Sequence, residues 1–375
     1  MNRKRILDEF FELVQITCSS GAEQEVGALL KKRLSELKLE VTEDEAGEKT
    51  GGNCGNILAR LPATVEGAPS IMLSAHLDCV DPCSGIQPQV KDGVITSAGD
   101  TILGSDDKAG VAVIMEALRV LDESGMPHGE LQVIFTVSEE SGLLGSKNLE
   151  RRKLTADFGY ALDSSGRPGR IIIRAPGENT IKVAVKGKTA HAGIAPEEGI
   201  NAIVVAGKAL AELKQGRIDA ETTANVGIIK GGQATNIVPD KVEITCEARS
   251  HSMEKLQAVT EDIKKTFQRV AKANGGQADV QVETDFPAYR LAEDAPVAVL
   301  AAQAASAVGL GPVLEATGGG SDANVFNSHG IPTAVLGVGM SKVHTREEYI
   351  KEEHLYQGAE WALAIIQAAA ELKKQ

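Results

Sequence analysis

The sequence predicts an α/β fold with a mostly parallel mixed sheet between helices, interrupted by an inserted ferredoxin-like α+β domain. Three observations support this prediction. The chain has 375 residues, more than one hydrophobic core usually holds, so two domains are expected. Short apolar runs alternate with helical stretches over much of the chain. Between about residues 180 and 288, the pattern changes to strand, helix, strand, strand, helix, strand.

The larger predicted domain begins with helices over residues 4–38, where apolar side chains repeat at helical spacing. Four short apolar runs predict strands, and they cover residues 71–75, 132–137, 158–162 and 333–336. Between the first two runs, residues 109–121 have the apolar face of a helix. Strands that are apolar on both sides and alternate with helices indicate a mostly parallel sheet covered on both faces.

The inserted domain is predicted from its own order of elements. Its strands are expected at residues 181–185, 225–229, 242–248 and 279–283, and its helices at 199–214 and 252–273. This order is the split βαβ pattern of a ferredoxin-like domain. We therefore expect one domain formed by residues 1–177 and 290–375, with residues 178–289 inserted between its two parts.

Composition and charge exclude some classes of function. The formal net charge is −13, which argues against a nucleic-acid partner, because phosphate binding needs a basic surface. No apolar run approaches the roughly 20 residues that span a bilayer, so no membrane partner is expected. The five cysteines form no CxxC pair and predict reduced thiols. Without the apolar core of a signal peptide near its start, the chain is expected in the cytoplasm.

Candidate functional residues follow several predicted strands. Ligands of open α/β sheets bind outside the carboxyl ends of the strands, so these side chains should meet at one edge. One more acidic group is expected just before the helix at 109–121, where a helix N-terminus tolerates negative charge. The residues at these positions are His76, Asp78, Asp106, Glu139, Glu140, Asp163 and His344.

The convergence of these residues predicts bound metal ions. Any one acidic residue after a strand is more often a cap or a solvated loop residue. Four strand ends in agreement, with two of only seven histidines, favour a site instead. Carboxylates crowded in this way repel each other strongly without cations. Two divalent ions would resolve the conflict, and imidazole and carboxylate ligands suit zinc, cobalt or manganese.

The same stretches carry a family resemblance. The sequences SAHLD at 74–78, GSDDKAG at 104–110, SEESG at 138–142 and KTAHAG at 188–193 resemble the M20 metallopeptidases, and most of all their peptidase T group of tripeptide aminopeptidases. The resemblance spans nearly the whole chain and implies a zinc-peptidase-like catalytic domain with an inserted lid and dimerisation domain. Ser105 stands where Ala is expected in peptidase T, which leaves the preferred peptide open.

The resemblance implies a role for each candidate. His76 and Asp163 would bind one metal ion, Glu140 and His344 would bind the other, and Asp106 would bridge the two. Zinc is the expected ion, with cobalt or manganese as alternatives. The bond between Asp106 and its neighbour would be cis in this family.

Two further residues are expected to take part in catalysis. Asp78 would accept the second ring proton of His76 and fix its tautomer. Glu139 would be the general base that takes a proton from the water between the metals as this water attacks the scissile carbonyl, and would pass the proton to the leaving nitrogen. The sequence alone does not separate the roles of Glu139 and Glu140.

The inserted domain is expected to contribute to substrate binding. The resemblance implies that His191 reaches the site of a partner subunit in a homodimer, and that Asn236 and Arg249 hold substrate. A loop histidine and an ordinary surface salt bridge are the competing interpretations of His191 and Arg249. The run of glycines at 318–320 lacks the Lys and Ser/Thr of a phosphate loop, so it predicts a close approach of the backbone instead.

Three functions remain open. The first is a metallo-aminopeptidase that acts on short peptides, as the full set of candidate ligands indicates. The second is a related amide hydrolase: a carboxypeptidase, a dipeptidase or an N-acyl amino acid deacylase. The third is a binding protein on an inactive hydrolase fold, which is disfavoured because neither a metal ligand nor the base is missing.

Overall fold

A computed structural model describes residues 1–372 of the chain. Within it the chain divides into two compact units. The larger unit comprises Met1–Arg174, Arg290–Thr317 and the chain from Ser321 onward, and the smaller unit comprises Ala175–Tyr289 with Gly318–Gly320. No helix in the described part of the chain is long and apolar enough to cross a membrane.

The helices and strands up to the start of the smaller unit alternate along the chain. The helices are α1 Arg3–Gln15, α2 Gln24–Glu36, α3 Ala46–Thr50, α4 Ser105–Ser124 and α5 Leu144–Asn148. The strands are β1 Glu40–Glu43, β2 Ile57–Leu61, β3 Ile71–His76, β4 Pro88–Lys91, β5 Val94–Ser97, β6 Leu131–Thr136, β7 Phe158–Ser164 and β8 Arg170–Ala175.

The elements of the smaller unit and of the returning chain complete the order. The smaller unit contains β9 Gly177–Lys186, α6 Ala202–Glu212, β10 Gly216–Arg217, β11 Thr222–Gly231, β12 Lys241–Ser250, α7 Met253–Ala273 and β13 Gln277–Phe286. The remaining elements are β14 Tyr289–Arg290, α8 Pro296–Ala307, β15 Val313–Ala316, α9 Asp322–Ser328, β16 Thr333–Gly337, β17 Tyr349–Lys351 and α10 Glu352–Glu371.

The large sheet is mixed and has the order β1-β2-β6-β3-β7-β16-β8-β14, with β15 paired to β8. Its centre, from β6 to β16, is parallel, whereas β2 and β8 join antiparallel. Alternate residues of the central strands enter different apolar clusters. Leu73 and Val133 pack with the cluster that includes α1, α4 and α10, and Met72 and Ile134 pack with a cluster on the other face. The prediction of a mostly parallel mixed sheet covered on both faces is confirmed.

The smaller unit has a five-stranded antiparallel sheet in the order β10-β11-β12-β9-β13. Helices α6 and α7 pack on one face of it, because every second residue of β9 is apolar and buried with them, as at Ile181, Val183 and Val185. Strands β9, β11, β12 and β13 with these two helices have the order of a split βαβ unit.

Two smaller expectations are also confirmed. All five cysteines are free and buried. At Gly320, a Cβ would lie 2.2 Å from Cζ of Phe286, which is too close for any side chain. The glycine run therefore allows a close approach of backbone to an aromatic ring.

Candidate metal centre

Four neighbouring parallel strands bring the candidate ligands together. Strands β6, β3, β7 and β16 lie side by side. His76 is the last residue of β3, and Asp163 lies next to the end of β7, so both belong to the strands rather than following them as expected. Glu140 and His344 come after β6 and β16. The carboxyl ends of these strands meet at one edge, which explains the convergence.

Asp106 lies at the centre of this group. Its Oδ1 is 3.0 Å from Nε2 of His76, and its Oδ2 is 3.2 Å from Nε2 of His344. The two histidines therefore approach different oxygens of one carboxylate. The residue lies at the start of α4, after Gly104 in the left-handed region (φ 71°), and its bond to Asp107 is cis.

The other two candidates flank the histidines. Oδ1 of Asp163 is 3.8 Å from Nε2 of His76, and Oε1 of Glu140 is 2.8 Å from Nε2 of His344. Ligand atoms of His76, Asp106 and Glu140 all lie within 4.8 Å of one another. The larger unit thus brings all five predicted ligands together.

Burial sets the electrostatics of the centre. It raises the pKa of Asp163 well above its usual range, and the neighbouring carboxylates of Asp106, Asp322 and Glu140 add to the rise. Burial likewise raises the pKa of Glu139 well above its usual range. In contrast, contacts with Asp106 and Asp78 outweigh burial and raise the pKa of His76. The site therefore favours positive charge among its carboxylates.

These residues fit a pair of metal ions. The donors are imidazole nitrogens and carboxylate oxygens, which suit zinc and similar divalent ions. The buried carboxylates repel each other, and cations among them would remove that repulsion. The two oxygens of Asp106 each face a different histidine, so its carboxylate would suit a position between two ions. The centre is a candidate dinuclear metal site.

Asp78 lies behind His76 and contacts the glutamate pair as well. Nδ1 of His76 is 3.1 Å from the backbone carbonyl oxygen of Asp78 and 3.4 Å from its Oδ1, so the carbonyl is the nearer acceptor. The carboxylate accepts hydrogen bonds from the backbone N–H groups of Glu139 and Glu140, at 2.9 and 3.1 Å, and from the hydroxyl of Ser20. Asp78 therefore holds the backbone of both glutamates.

Asp107 lies closer to the centre than the sequence analysis expected. Its carboxylate is within 4.8 Å of ligand atoms of His76 and Asp163, and it accepts from the backbone N–H groups of His76 and Gly110 at 3.3 and 3.1 Å. Gly110 makes room for it, because a Cβ there would lie 2.6 Å from Oδ1 of Asp107. In the sequence, Gly110, three residues after Asp107, was the feature that could have indicated a buried carboxylate here.

Other buried polar residues around the centre were missed as well. They hold loops that carry the candidates, and their own partners are distant in sequence. Lys108 donates to the carbonyl of Leu77, between His76 and Asp78. Glu23 accepts hydrogen bonds from Ser138, and Asp322 accepts from Thr136 and Ser146. Glu348 accepts from residues 103–106. With Lys108, these are the residues that the sequence analysis missed.

The three predicted substrate-binding residues lie in the smaller unit. His191 and Asn236 are exposed on adjacent loops, which are joined by a hydrogen bond from Ala192 N to the carbonyl of Asn236 at 3.0 Å. Arg249 lies on β12, and its Nη2 is 3.2 Å from carboxylates of both Glu178 and Glu247. Both of these contacts use Nη2, and the guanidinium has three further N–H donors on Nε and Nη1.

The family follows from a comparison with known proteins. The model of peptidase family M20/M25/M40 matches residues 72–368, which include all five candidate ligands. The chain belongs to peptidase family M20. The predicted family and its peptidase activity are thereby confirmed.

Individual relatives of this M20 peptidase cover 92–99% of its length. It is 47% identical to aminopeptidase PepT from Bacillus cereus, with a TM-score of 0.93, over 99% of this chain and 100% of the other. It is 40% identical to a tripeptidase from Staphylococcus aureus, with a TM-score of 0.96 and the same coverage. Peptidase T from Escherichia fergusonii is 26% identical, over 92% of this chain and 90% of that protein. The resemblance to the peptidase T group is confirmed.

Proposed function

We propose that this M20 peptidase is a dinuclear metallo-aminopeptidase that removes N-terminal residues from short peptides such as tripeptides. One observation carries the proposal: the two oxygens of Asp106 face His76 and His344 separately. Nearby, the carboxylate of Glu139 accepts no hydrogen bond within residues 1–372. The similarity to an aminopeptidase and a tripeptidase at 40–47% identity supports the choice of substrate.

The five predicted ligands would hold the metals in two sets. His76 and Asp163 would hold one ion, His344 and Glu140 the other, and Asp106 both. Zinc is the ion proposed, because it accepts this mixture of nitrogen and oxygen ligands. Bound ions would supply Lewis acidity toward water and toward the carbonyl oxygen of the substrate.

Glu139 would act as the base. Its carboxylate is buried, and within residues 1–372 no hydrogen bond ties it down, so it is available to take a proton from the attacking water and deliver it to the leaving amine. Asp78 would fix the backbone of Glu139 and Glu140, since its carboxylate accepts a hydrogen bond from the N–H of each. Consecutive side chains then point in different directions.

Substrate binding would involve the smaller unit. Arg249 offers a planar fork of donors to a peptide carboxylate, and Asn236 would donate to the peptide backbone. His191 would serve the site of the partner subunit in a homodimer, with residues 178–289 as a lid and dimerisation domain inserted between 1–177 and 290–375. The free cysteines suit a reducing compartment, and we place the protein in the cytoplasm.

Digestion of matched peptides tests this function. The metal-free protein is loaded with zinc, cobalt or manganese and given a free tripeptide, its N-acetylated form and its C-amidated form. We expect release of the N-terminal residue from the free and amidated peptides, and no cleavage of the acetylated one. A protein that binds none of these metals and cleaves none of these peptides would refute the proposal.

The same digestion separates the alternative. Release of the C-terminal residue first, cleavage restricted to dipeptides, or removal of the acetyl group would indicate a carboxypeptidase, a dipeptidase or a deacylase of the same family. These enzymes share the metal chemistry and differ in the pocket. A non-catalytic binding role would require bound peptide without any cleavage in the presence of metal.

A further inference from the structure

We propose that Glu348 is a positioning residue that sets the spacing between the metal ligands Asp106 and His344. This inference rests on the proposed function, because it concerns the same metal centre. Glu348 belongs to the segment that carries His344, and its side chain binds the loop that carries Asp106. It is therefore a direct link between two candidate ligands that approach each other to 3.2 Å.

The carboxylate of Glu348 is saturated with donors from consecutive residues. Oε2 accepts from the backbone N–H groups of Leu103 and Gly104, at 2.8 and 2.9 Å. Oε1 accepts from the hydroxyl of Ser105 at 2.6 Å and from the N–H of Asp106 at 3.1 Å. The residue is 1% exposed, so these four bonds replace the solvation that the carboxylate loses on burial.

Residues 103–106, which Glu348 binds, lead into an irregular first turn of α4. Gly104 is in the left-handed region, and Asp106 and Asp107 have non-helical dihedral angles inside the first turn of α4. The first N–H groups of a helix have no partner within the helix and need an outside acceptor. Glu348 supplies that acceptor from a position 242 residues away from Asp106, so the placement of Asp106 depends on it.

The backbone of Glu348 is tied to the loop that carries His344. Its N–H donates to the carbonyl of Thr345 at 3.1 Å, and reciprocal bonds of 3.0 Å between Ser341 and Tyr349 close the loop that contains both residues. A shift of Glu348 would therefore move His344 along with Asp106, or open the distance between them. Residues that orient metal ligands commonly change metal affinity by about 10–100-fold when they are replaced.

The neighbouring Glu347 provides a matched control. Its side chain is 73% exposed and pairs with Lys342, whereas the carboxylate of Glu348 is buried. Glu348→Gln keeps the shape but turns one oxygen into a donor that faces two donors. Glu347→Gln makes the same chemical change on the surface, where an exposed ion pair contributes little.

The experiment measures zinc binding rather than activity alone. Metal-free wild-type, E348Q and E347Q proteins are checked for folding by circular dichroism, and zinc dissociation constants are measured by competition with a chelator. We expect about tenfold or greater weakening of at least one zinc site in E348Q, and a change within about twofold in E347Q. The absorption spectrum of the cobalt-loaded protein should shift in E348Q alone, since it reports ligand geometry.

Each outcome decides the matter. Wild-type zinc affinity and an unaltered cobalt spectrum in E348Q would overturn the proposal, as would equal weakening in E347Q. If E348Q does not fold, Ser105→Ala removes one of the four bonds, and zinc binding weakened by about threefold supports the role, while unchanged binding overturns it. A wild-type protein that binds two zinc ions but cleaves no peptide would refute the proposed function and leave this test valid.

Discussion

Five carboxylates around the candidate metal centre form two groups that differ in the hydrogen-bond donors around them. Asp78, Asp322 and Glu348, the braced carboxylates, accept two to four hydrogen bonds each from backbone or hydroxyl groups. Glu139 and Asp163, the unbraced carboxylates, accept none within residues 1–372, and the nearest cationic group to Asp163 is His76 at 3.8 Å. The braced carboxylates are 0–3% exposed, Glu139 is 9% exposed and the side chain of Asp163 is 11% exposed, so all five lie largely away from solvent and differ most in their hydrogen-bond donors.

We propose that the braced carboxylates support the fold and that the unbraced carboxylates serve the chemistry. A braced carboxylate is stabilised by the donors that it organises, so it fixes the backbone on which ligands stand. An unbraced carboxylate costs folding free energy until a cation or a proton reaches it. Sites that bind and catalyse commonly carry such a cost, and it is offset elsewhere in the structure.

Glu139→Gln gives the largest expected effect. If the unbraced Glu139 is the base, its loss should lower kcat by about 10²–10⁴-fold, the range for general acid–base catalysis. Zinc content should stay the same, because Glu139 is not among the predicted ligands. Turnover of a free tripeptide and metal analysis on the same sample provide the measurement.

Two comparisons keep the Glu139 experiment decisive. Glu293→Gln, an exposed change in the same unit, should leave kcat unaltered. Wild-type turnover in the Glu139 variant would mean that another residue is the general base. The lack of hydrogen bonds would then not mark a catalytic carboxylate. Loss of zinc together with loss of turnover would instead make Glu139 a ligand.

Replacement of one carboxylate from each group should change stability in opposite directions. Asp78→Asn leaves donors of the glutamate pair without a good acceptor, and should cost about 1–3 kcal/mol of unfolding free energy. Asp163→Asn removes a carboxyl group that must take up a proton to be buried without a cation, so it should stabilise the metal-free protein at neutral pH. Urea unfolding of the metal-free variants measures both, with the exposed Asp294→Asn as control. Equal losses in the two variants would contradict the distinction between the groups.

The sequence predicted the convergence of the candidate ligands better than the residues that hold their loops, for a physical reason. His76, Glu140 and Asp163 stand at the ends of apolar strands, and that local pattern fixes their edge of the sheet. The role of Glu348 depends on a loop 242–245 residues away. In sequence it looks the same as Glu347, although one is buried and the other is exposed.

In the fold as well, local sequence patterns predict some elements and miss those that depend on distant segments. The apolar central strands were predicted to within a few residues, because their composition is strongly biased toward buried apolar side chains. The short outer strands β1, β4, β5 and β17 carry few buried residues, so no periodic pattern marks them. Their positions follow from pairing with distant segments, such as β17 with β5.

The smallest expected effect is a dependence of stability on pH that only the metal-free protein shows. Contacts with Asp106 and Glu140 raise the pKa of His344 from 6.5 to about 10. A raised pKa stabilises the folded state fully below 6.5, and that contribution is lost as the pH rises toward 10. The raised pKa values of Glu139 and Asp163 act in the same direction, since their folded forms also retain protons.

We therefore expect the Tm of the metal-free protein to fall by a few degrees between pH 6 and 9, given roughly 2–4 °C per kcal/mol for domains of about 150–250 residues. With zinc bound, the ligands are already deprotonated, so this fall should disappear and the stabilisation by zinc should grow with pH. Thermal unfolding with and without zinc, at constant ionic strength, measures the difference. Parallel curves of Tm against pH for the zinc-bound and metal-free forms would show that protons and metal do not compete for the same carboxylates. The distinction between braced and unbraced carboxylates would then have no functional basis.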